Sequence, residues 1–201
     1  MVALATQSKA HLRADRGDDL YQTPPEATLA LLKLEKLPYL IWEPACGRGA
    51  IMRVLVQQGH RVLGTDIKPR CAGGRKADFL ALASPPNAAV YGIVTNPPYQ
   101  LAARFAARAI EIGCQHICML MRLGFLEAGN PRSEAGRARI FCLDHQPPAR
   151  VYVFRNRLPM MHRDGWKGRR ATSAMAFAWL VWDAAHEGPT ELHRISWEAM
   201  A

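Results

Sequence analysis

The sequence predicts an α/β fold in which a doubly wound, mainly parallel sheet is completed by a C-terminal antiparallel hairpin. Up to residue 122, short apolar runs alternate with segments whose apolar residues have helical spacing, a pattern typical of parallel strands joined by helices. Glycines and acids follow the apolar runs, where ligands bind in such sheets. The last third has two apolar runs without a helical pattern between them, which predicts paired strands.

The first elements follow a polar segment. Residues 1–20 mix charges without any period, so they are predicted to form a flexible N-terminal arm. Thr23-Pro24-Pro25-Glu26 is typical of a helix start, and helical spacing continues over 27–34. A strand is predicted over 39–42, and it leads through a glycine turn at 43–49 into a second helix.

The later elements are predicted from the same patterns. Strands are expected over 61–66, 91–95, 116–122, 150–154 and 174–182, and a helix over 101–112. The last two strands should form an antiparallel hairpin at the edge of the sheet. Because no repeat or low-complexity tract interrupts this order, residues 21–201 are predicted to form a single domain.

Composition defines the class of protein. The 201 residues are 49% hydrophobic and 21% charged, as in soluble globular domains. Lys and Arg number 26 against 17 acids, and the resulting net charge of +9 attracts polyanions such as nucleic acid. No apolar run approaches the roughly 20 residues that span a bilayer, and no signal peptide is recognisable, so a cytoplasmic location is expected.

The cysteines predict neither disulfides nor a metal site. Their odd number, five, and their irregular spacing argue against a disulfide framework and favour a reducing compartment. Cys114, His116 and Cys118 lie in or beside one apolar run. Because side chains along a single strand are poorly placed to converge on one ion, no bound metal is expected.

A glycine turn and an acid follow two consecutive strands. The segment Glu43-Pro44-Ala45-Cys46-Gly47-Arg48-Gly49 lets the backbone approach a ligand that a Cβ would block, although glycine turns also close ordinary strand–helix units. Asp66, 17 residues after Gly49, can accept hydrogen bonds from both hydroxyls of a ribose; the alternative is a helix cap or a surface acid. Asp78 and Phe79 could contact the amine and one face of a bound adenine, but the pair alone is uninformative.

The most specific segment is Asn96-Pro97-Pro98-Tyr99, which directly follows an apolar strand. The two prolines fix the backbone and remove two donors, so carbonyl oxygens remain for a ligand. The Asn96 side-chain oxygen and the Pro97 carbonyl can both accept from one NH2 group, which leaves its nitrogen lone pair for attack on a methyl sulfonium. Tyr99 offers a flat face for a target ring. The simpler alternative is a proline turn.

Taken together, these segments resemble a known family. TPPEA, EPACGRG, GTD, ADF and TNPPY occur in this order between about residues 21 and 122, which is similar to the Rossmann-like amino-methyltransferases that use S-adenosylmethionine (SAM), specifically the DNA N6-adenine methyltransferases. The resemblance implies a Rossmann-like fold and catalytic roles for Asn96, Pro97, Pro98 and Tyr99. The residues that it assigns to SAM are Thr23, Pro24, Glu43, Pro44, Ala45, Cys46, Gly47, Gly49, Asp66, Ile67, Asp78, Phe79 and Asn96.

The resemblance also implies what each segment binds. Thr23-Pro24-Pro25 would pack beside the methionine end of SAM, and Glu43 with the glycine turn would hold its amino acid portion. Asp66 would bind the ribose hydroxyls, while the segment Asp78-Phe79 would contact the adenine of SAM. Cys46 is then a small packing residue, because direct transfer to an amine requires orientation and no covalent intermediate.

The chain departs from longer relatives after the core. About 80 residues follow residue 122, where those relatives carry a separate target-recognition domain, so low sequence specificity or a single-stranded DNA substrate is expected. The size and the segment Ala178-Trp179-Leu180-Val181-Trp182 resemble compact phage and prophage methyltransferases. The sequence leaves the choice between monomer and dimer open.

A basic loop is predicted over 150–173. Seven lysines and arginines and one acid, Asp164, occur between residues 150 and 170, a composition suited to phosphate contacts and base stacking. The residues predicted to contact nucleic acid are Arg155, Arg157, His162, Arg163, Trp166, Lys167, Arg169 and Arg170. The alternative is a solvated hairpin tip.

Two other functions remain open at this point. Enzymes that resemble this chain methylate adenine in RNA or a glutamine amide in release factors, and residues 96–99 do not separate these substrates. The basic loop favours a nucleic acid, and TPPEA favours DNA. A non-catalytic nucleic-acid-binding partner is disfavoured because every motif above is intact.

Overall fold

The computed structural model describes residues 22–87, 92–127, 129–160 and 175–198. Its strands are β1 (Leu40–Glu43), β2 (Arg61–Asp66), β3 (Gly74–Lys76), β4 (Gly92–Thr95), β5 (His116–Arg122), β6 (Arg150–Phe154), β7 (Phe177–Asp183) and β8 (Glu191–Ile195). The helices are α1 (Pro25–Leu32), α2 (Ala50–Gln57), α3 (Ala102–Glu111) and α4 (Glu134–Ile140). The predicted N-terminal arm and most of the predicted basic loop lie outside the described residues.

The strands form one sheet with the order β3-β2-β1-β4-β5-β7-β6-β8. All pairs from β3 to β5 are parallel. β7 runs antiparallel to both β5 and β6, and β8 pairs in parallel with β6. The predicted doubly wound, mainly parallel α/β sheet with a C-terminal antiparallel hairpin is therefore confirmed.

The hairpin does not lie at the edge of the sheet, and this part of the prediction is wrong. β7 lies between β5 and β6, and β8 forms the edge. The first four residues of β8 are exposed, so the strand has no alternating apolar face that would reveal it in the sequence. β2 and β5 begin and end where they were predicted, while α1 covers Pro25–Leu32. The helix therefore begins within the predicted start at 23–26 and ends two residues before the helical spacing does.

Successive residues of the central strands fill two cores, one on each face of the sheet. Trp42 and Ile93 belong to the core that α3 covers through Phe105. Ile41 belongs to the opposite core, which α2 covers through Leu55. Each of these side chains is at most 5% exposed, and burial of one such side chain stabilises a fold by about 1.5–3 kcal/mol. The carboxyl ends of β1 and β4 are thus a rigid base for a site.

No helix in the described ranges is long and apolar enough to cross a membrane.

The amino end of β5 carries a buried ion cluster. Arg150 donates to both carboxylate oxygens of Glu35, at 2.6 and 3.0 Å, and to Asp183 Oδ2 at 2.7 Å. Tyr152 Oη donates to Glu35 Oε1 at 2.6 Å, and His116 Nε2 lies 3.1 Å from Oε2. Burial disfavours the charged form of Glu35, but these partners outweigh burial and lower its pKa to about 2.

Glu35→Gln should destabilise the fold by about 2–3 kcal/mol at neutral pH, because Arg150 loses a buried carboxylate. Since the pKa of Glu35 is depressed, its contribution is complete above the ordinary value of 4.5 and is lost as the pH falls toward about 2. Denaturant unfolding at neutral pH and at about pH 3 measures this difference, which should shrink in acid.

Glu111→Gln is the matched control for Glu35→Gln. It removes a pair with Arg108, 3.1 Å apart, in which the Glu111 side chain is 53% exposed, and exposed pairs contribute less than about 1 kcal/mol. Equal losses for the two variants would contradict the assignment of the buried cluster as the stronger interaction.

Candidate active site

A cavity of about 220 Å³ lies at the carboxyl ends of β1, β2 and β4. Eleven predicted site residues line it: Thr23, Glu43, Ala45, Cys46, Gly47, Asp66, Ile67, Asn96, Pro97, Pro98 and Tyr99. The sequence did not single out six further lining residues: Gln22, Arg48, Ala50, Lys68, Arg70 and Leu101. Their position along the chain is what could have indicated them, because each lies inside a recognised motif or within a few residues of one.

The glycine turn between β1 and α2 has a conformation that requires glycine. Gly47 and Gly49 have φ angles of 46° and 73°, in the left-handed region that residues with a Cβ avoid. Gly49 N–H donates to the carbonyl of Cys46 at 2.6 Å. A Cβ on Gly49 would lie 3.1 Å from Cys71 Cβ. A side chain at Gly49 would therefore be strained and crowded, while Gly47 brings backbone without a Cβ to the wall of the cavity.

The carboxylate of Asp66 is fixed by two backbone donors. Gly47 N–H donates to Oδ2 and Lys68 N–H to Oδ1, both at 2.8 Å. Because each carboxylate oxygen has two acceptor positions, both oxygens keep capacity for a second donor. Asp66 can thus accept from the hydroxyls of a ligand without moving.

Glu43 is a buried acid in the cavity wall. It ends β1, is 3% exposed, and its Oε2 accepts from Met52 N–H of α2 at 3.1 Å. Burial raises the pKa of Glu43 well above its ordinary value despite that hydrogen bond, and the nearby Asp66 raises it further. A cationic group in the cavity would favour the ionised form of Glu43, so this end of the cavity suits an amine.

The segment from Asn96 to Tyr99 connects β4 to a single 3-10 turn, Tyr99–Leu101. The Asn96 amide nitrogen donates to Thr23 Oγ1 at 3.2 Å. The amide nitrogen is thereby directed at Thr23, and the amide oxygen lies on the opposite side of the group. The Tyr99 ring packs against Phe177, with ring centroids 5.8 Å apart.

Five residues predicted to bind SAM do not line the cavity: Pro24, Pro44, Gly49, Asp78 and Phe79. Phe79 is 1% exposed and packs in the core against Trp42 and Phe105, at centroid distances of 5.1 and 4.7 Å. Asp78 Oδ1 accepts from Leu80 N–H at 3.0 Å and so caps a 3-10 turn. Both residues therefore have structural contacts, whatever further role they take.

The predicted nucleic-acid contacts are described only in part. Arg155 and Arg157 are exposed after β6, and Arg155 N–H donates to the carbonyl of Ile195 at 2.9 Å. His162, Arg163, Trp166, Lys167, Arg169 and Arg170 lie outside the described residues. The role of this loop stays a prediction.

Four buried cysteines, Cys46, Cys114, Cys118 and Cys142, have thiols whose pKa is raised by burial. Burial raises the pKa of Cys46, and Cys71, whose sulfur lies 3.8 Å away, raises it further. A neutral thiol is a poor nucleophile, which agrees with a packing role for Cys46. Burial also raises the pKa of Cys114 to about 11. No group of three His, Cys, Asp or Glu side chains suited to a metal ion occurs among the residues described.

Solved structures share this fold, although the sequence matches no protein-family model and no curated protein. A methyltransferase subunit of a type I restriction-modification system from Streptococcus thermophilus superimposes with a TM-score of 0.58 at 13% identity, over 88% of this chain and 47% of that chain. A protein named as a class I SAM-dependent methyltransferase from Listeria monocytogenes gives 0.54 at 13%, over 87% and 65%. A protein named as an RNA methyltransferase from Pyrococcus horikoshii gives 0.56 at 14%, over 83% and 88%.

The described residues share the fold of these three proteins. The chain spans about half the length of the restriction-modification subunits that it resembles. In this fold the chain runs outward from β1 to β3 and then returns to β4 beside β1. The crevice at such a switch point is where ligands bind in open α/β sheets, and the cavity lies there.

Glu43→Gln should raise the melting temperature at about pH 8, because the ionised Glu43 opposes folding. The raised pKa means that the folded state holds the proton of Glu43 more tightly than the unfolded chain does. The free-energy cost of burying the ionised carboxylate is therefore absent below the ordinary pKa of 4.5 and grows as the pH rises. Thermal unfolding followed by circular dichroism should therefore show similar melting temperatures near pH 5 and a gap near pH 8.

Glu187→Gln provides the control, because Glu187 is exposed and its replacement should leave the melting temperature unchanged at both pH values. A Glu43→Gln protein that melts below the wild type near pH 8 would show that the Glu43 carboxylate stabilises the unliganded fold.

Proposed function

We propose that the protein transfers a methyl group from SAM to the exocyclic N6 amine of adenine in DNA. One observation carries the proposal: Asn96, Pro97, Pro98 and Tyr99 line the same cavity as Asp66, Glu43 and the glycine turn. The acceptors that suit a target amine therefore lie in the same cavity as the acceptors that suit the ribose and the amino acid portion of SAM.

The donors and acceptors of the cavity fit SAM. Asp66 would accept from the ribose hydroxyls, and Glu43 would pair with the ammonium of the methionine portion. Gly47 has a φ of 46°, which favours glycine, and because glycine has no Cβ the backbone can approach a ligand closely here. When bound, SAM supplies an electrophilic methyl group on its sulfonium.

The chain's own residues would orient the amine. The Asn96 side-chain oxygen and the Pro97 carbonyl would each accept one N–H of the target NH2 group, so its lone pair would point away from both acceptors and toward the methyl donor. The Asn96 amide nitrogen donates to Thr23 Oγ1 at 3.2 Å, and this hydrogen bond holds the amide in the orientation that leaves its oxygen for the target amine. No residue need remove a proton before attack, because the neutral amine already has a lone pair. The new N–C bond would form as the S–C bond of the sulfonium breaks, and the extra proton of the methylated nitrogen would then pass to solvent.

A nucleic acid is the substrate class that the charge supports. The net charge is +9, and the aromatic Tyr99 in the cavity wall suits a base better than an amide side chain. DNA is favoured because TPPEA precedes the glycine turn, and methyltransferase subunits of type I restriction-modification systems share the fold. RNA is the second candidate, in keeping with the RNA methyltransferase among the structural neighbours.

The decisive experiment incubates the full chain with tritium-labelled SAM and, separately, single-stranded DNA, duplex DNA, RNA of the same sequence and a glutamine-containing protein substrate. Digestion of the labelled polymer identifies the methylated nucleoside. Label in N6-methyladenine from DNA is expected. Label only in RNA, or only in protein, would replace the DNA assignment with the corresponding alternative.

Asn96→Ala should lower kcat by about 100-fold or more while SAM still binds, because it removes an acceptor that acts on the amine. Asp66→Ala should instead weaken SAM binding first. Isothermal titration with SAM and single-turnover transfer measure the two effects separately. Near wild-type turnover by Asn96→Ala would refute the amine-binding model.

Thr23→Val should reduce kcat by roughly fivefold, since a hydrogen bond of about 1 kcal/mol no longer orients Asn96. Thr23→Ser is the matched variant, because it keeps the hydroxyl and should recover most of the rate. If both variants lost the same activity, the effect would come from packing of the Thr23 methyl group and not from the hydroxyl.

A further inference from the structure

Arg122 lies beside the proposed catalytic segment although no motif includes it. It is the last residue of β5, the strand next to β4. Its Cζ lies 4.0 Å from the centroid of the Tyr99 ring, and its register partner in β7 is Phe177, which contacts the same ring. Tyr99 lines the cavity and Arg122 does not, so the guanidinium covers the ring from outside the cavity.

Arg122 differs from the described arginines that form ion pairs with acids. Arg150 pairs with Glu35 and Asp183, and Arg104 pairs with Glu134. Among the residues that the structure describes, no acid pairs with Arg122, and its Nε is buried without a hydrogen-bond partner. A cation over an aromatic ring gains from the ring electrons, but that contact does not satisfy N–H donors. The position therefore suits an anionic acceptor that arrives with a ligand.

The chemistry of the guanidinium identifies the acceptor. Its N–H donors radiate in the plane of the group, so a guanidinium that lies over a ring can still donate at its edge, and the fork of donors matches two oxygens of a phosphate. A base that stacks on Tyr99 brings its own backbone phosphates to within one nucleotide of the ring. A phosphodiester is thus the anion that a nucleic-acid substrate would bring to this position.

We propose that Arg122 binds one phosphodiester of the nucleic-acid substrate while it supports the ring of Tyr99. The inference rests on the proposed function, because it requires a nucleic-acid substrate. The contact would fix the position of the nucleic-acid backbone relative to the Tyr99 ring, on which the target base would stack. Arg122 would then contribute to substrate binding and leave SAM binding unaffected.

The test measures how the binding of fluorescein-labelled single-stranded DNA to the full chain depends on salt, by fluorescence anisotropy over a range of KCl concentrations. Each phosphate contact adds about 0.7 to the slope of log K against log salt for single strands. Arg122→Gln should make the slope less steep by about that amount. Arg122→Lys keeps the charge and should retain the wild-type slope.

Arg61→Gln is the matched control, because it removes the same charge at the exposed amino end of β2, away from the cavity, and should leave the slope unchanged. Titration with SAM, which should give wild-type affinity for every variant, shows that the site is folded. If Arg122→Gln does not fold, Arg122→Met, which keeps the aliphatic stem, takes its place.

The outcomes separate this inference from the proposed function. If Arg122→Gln still binds DNA with the wild-type slope of log K against log salt, the phosphate contact is overturned and the proposed function is not. Reduced methylation by the same variant would then mean that Arg122 only supports Tyr99. A wild-type protein that binds SAM but neither DNA nor RNA would overturn the nucleic-acid substrate and this inference together.

Discussion

The candidate site depends on the two hydrogen bonds that the Asp66 carboxylate accepts from backbone N–H groups. One donor, Gly47, belongs to the turn after β1, and the other, Lys68, follows β2. The carboxylate thus fixes the distance between the ends of two neighbouring strands. Because Gly47 adopts a positive φ, the turn can present its N–H to the carboxylate only in a conformation that glycine favours. Glu43 directly precedes Pro44 at the start of this turn, so the hydrogen bonds that fix the turn also constrain the position of Glu43.

Buried acids at the two ends of the sheet have pKa values shifted in opposite directions. At the amino end of β5, Glu35 is surrounded by donors, and its pKa is lowered to about 2. At the carboxyl end of β1, Glu43 has one backbone donor and a neighbouring acid, Asp66, and its pKa is raised. The first arrangement satisfies its charges within the fold and stabilises it. The second leaves an acid that a cationic ligand would stabilise, and perturbed acids of this kind are typical of binding sites.

The sequence predicted what depends on local pattern and missed what depends on contacts distant in the chain. β5 has the predicted bounds because its apolar run is buried from Ile117 to Met121, whereas the exposed β8 has no such pattern. Motif residues around the glycine turn and after β4 do share one cavity. The position of Phe79 in the core depends on packing with residues far along the chain, which a short motif does not encode. Arg122 meets Tyr99 only because β5 lies beside β4.

The contact between Thr23 and Asn96 explains why an element far upstream belongs to the site. An asparagine amide can present either its oxygen or its NH2 group to a ligand, and only the oxygen can accept from an amine. Thr23 Oγ1 accepts from the Asn96 amide nitrogen, so the nitrogen is engaged at the start of α1. The Trp179 indole donates to the carbonyl of Ala27 at 2.9 Å and so ties α1 to β7. The orientation of a single amide is therefore held by a helix that the core of the sheet holds in place.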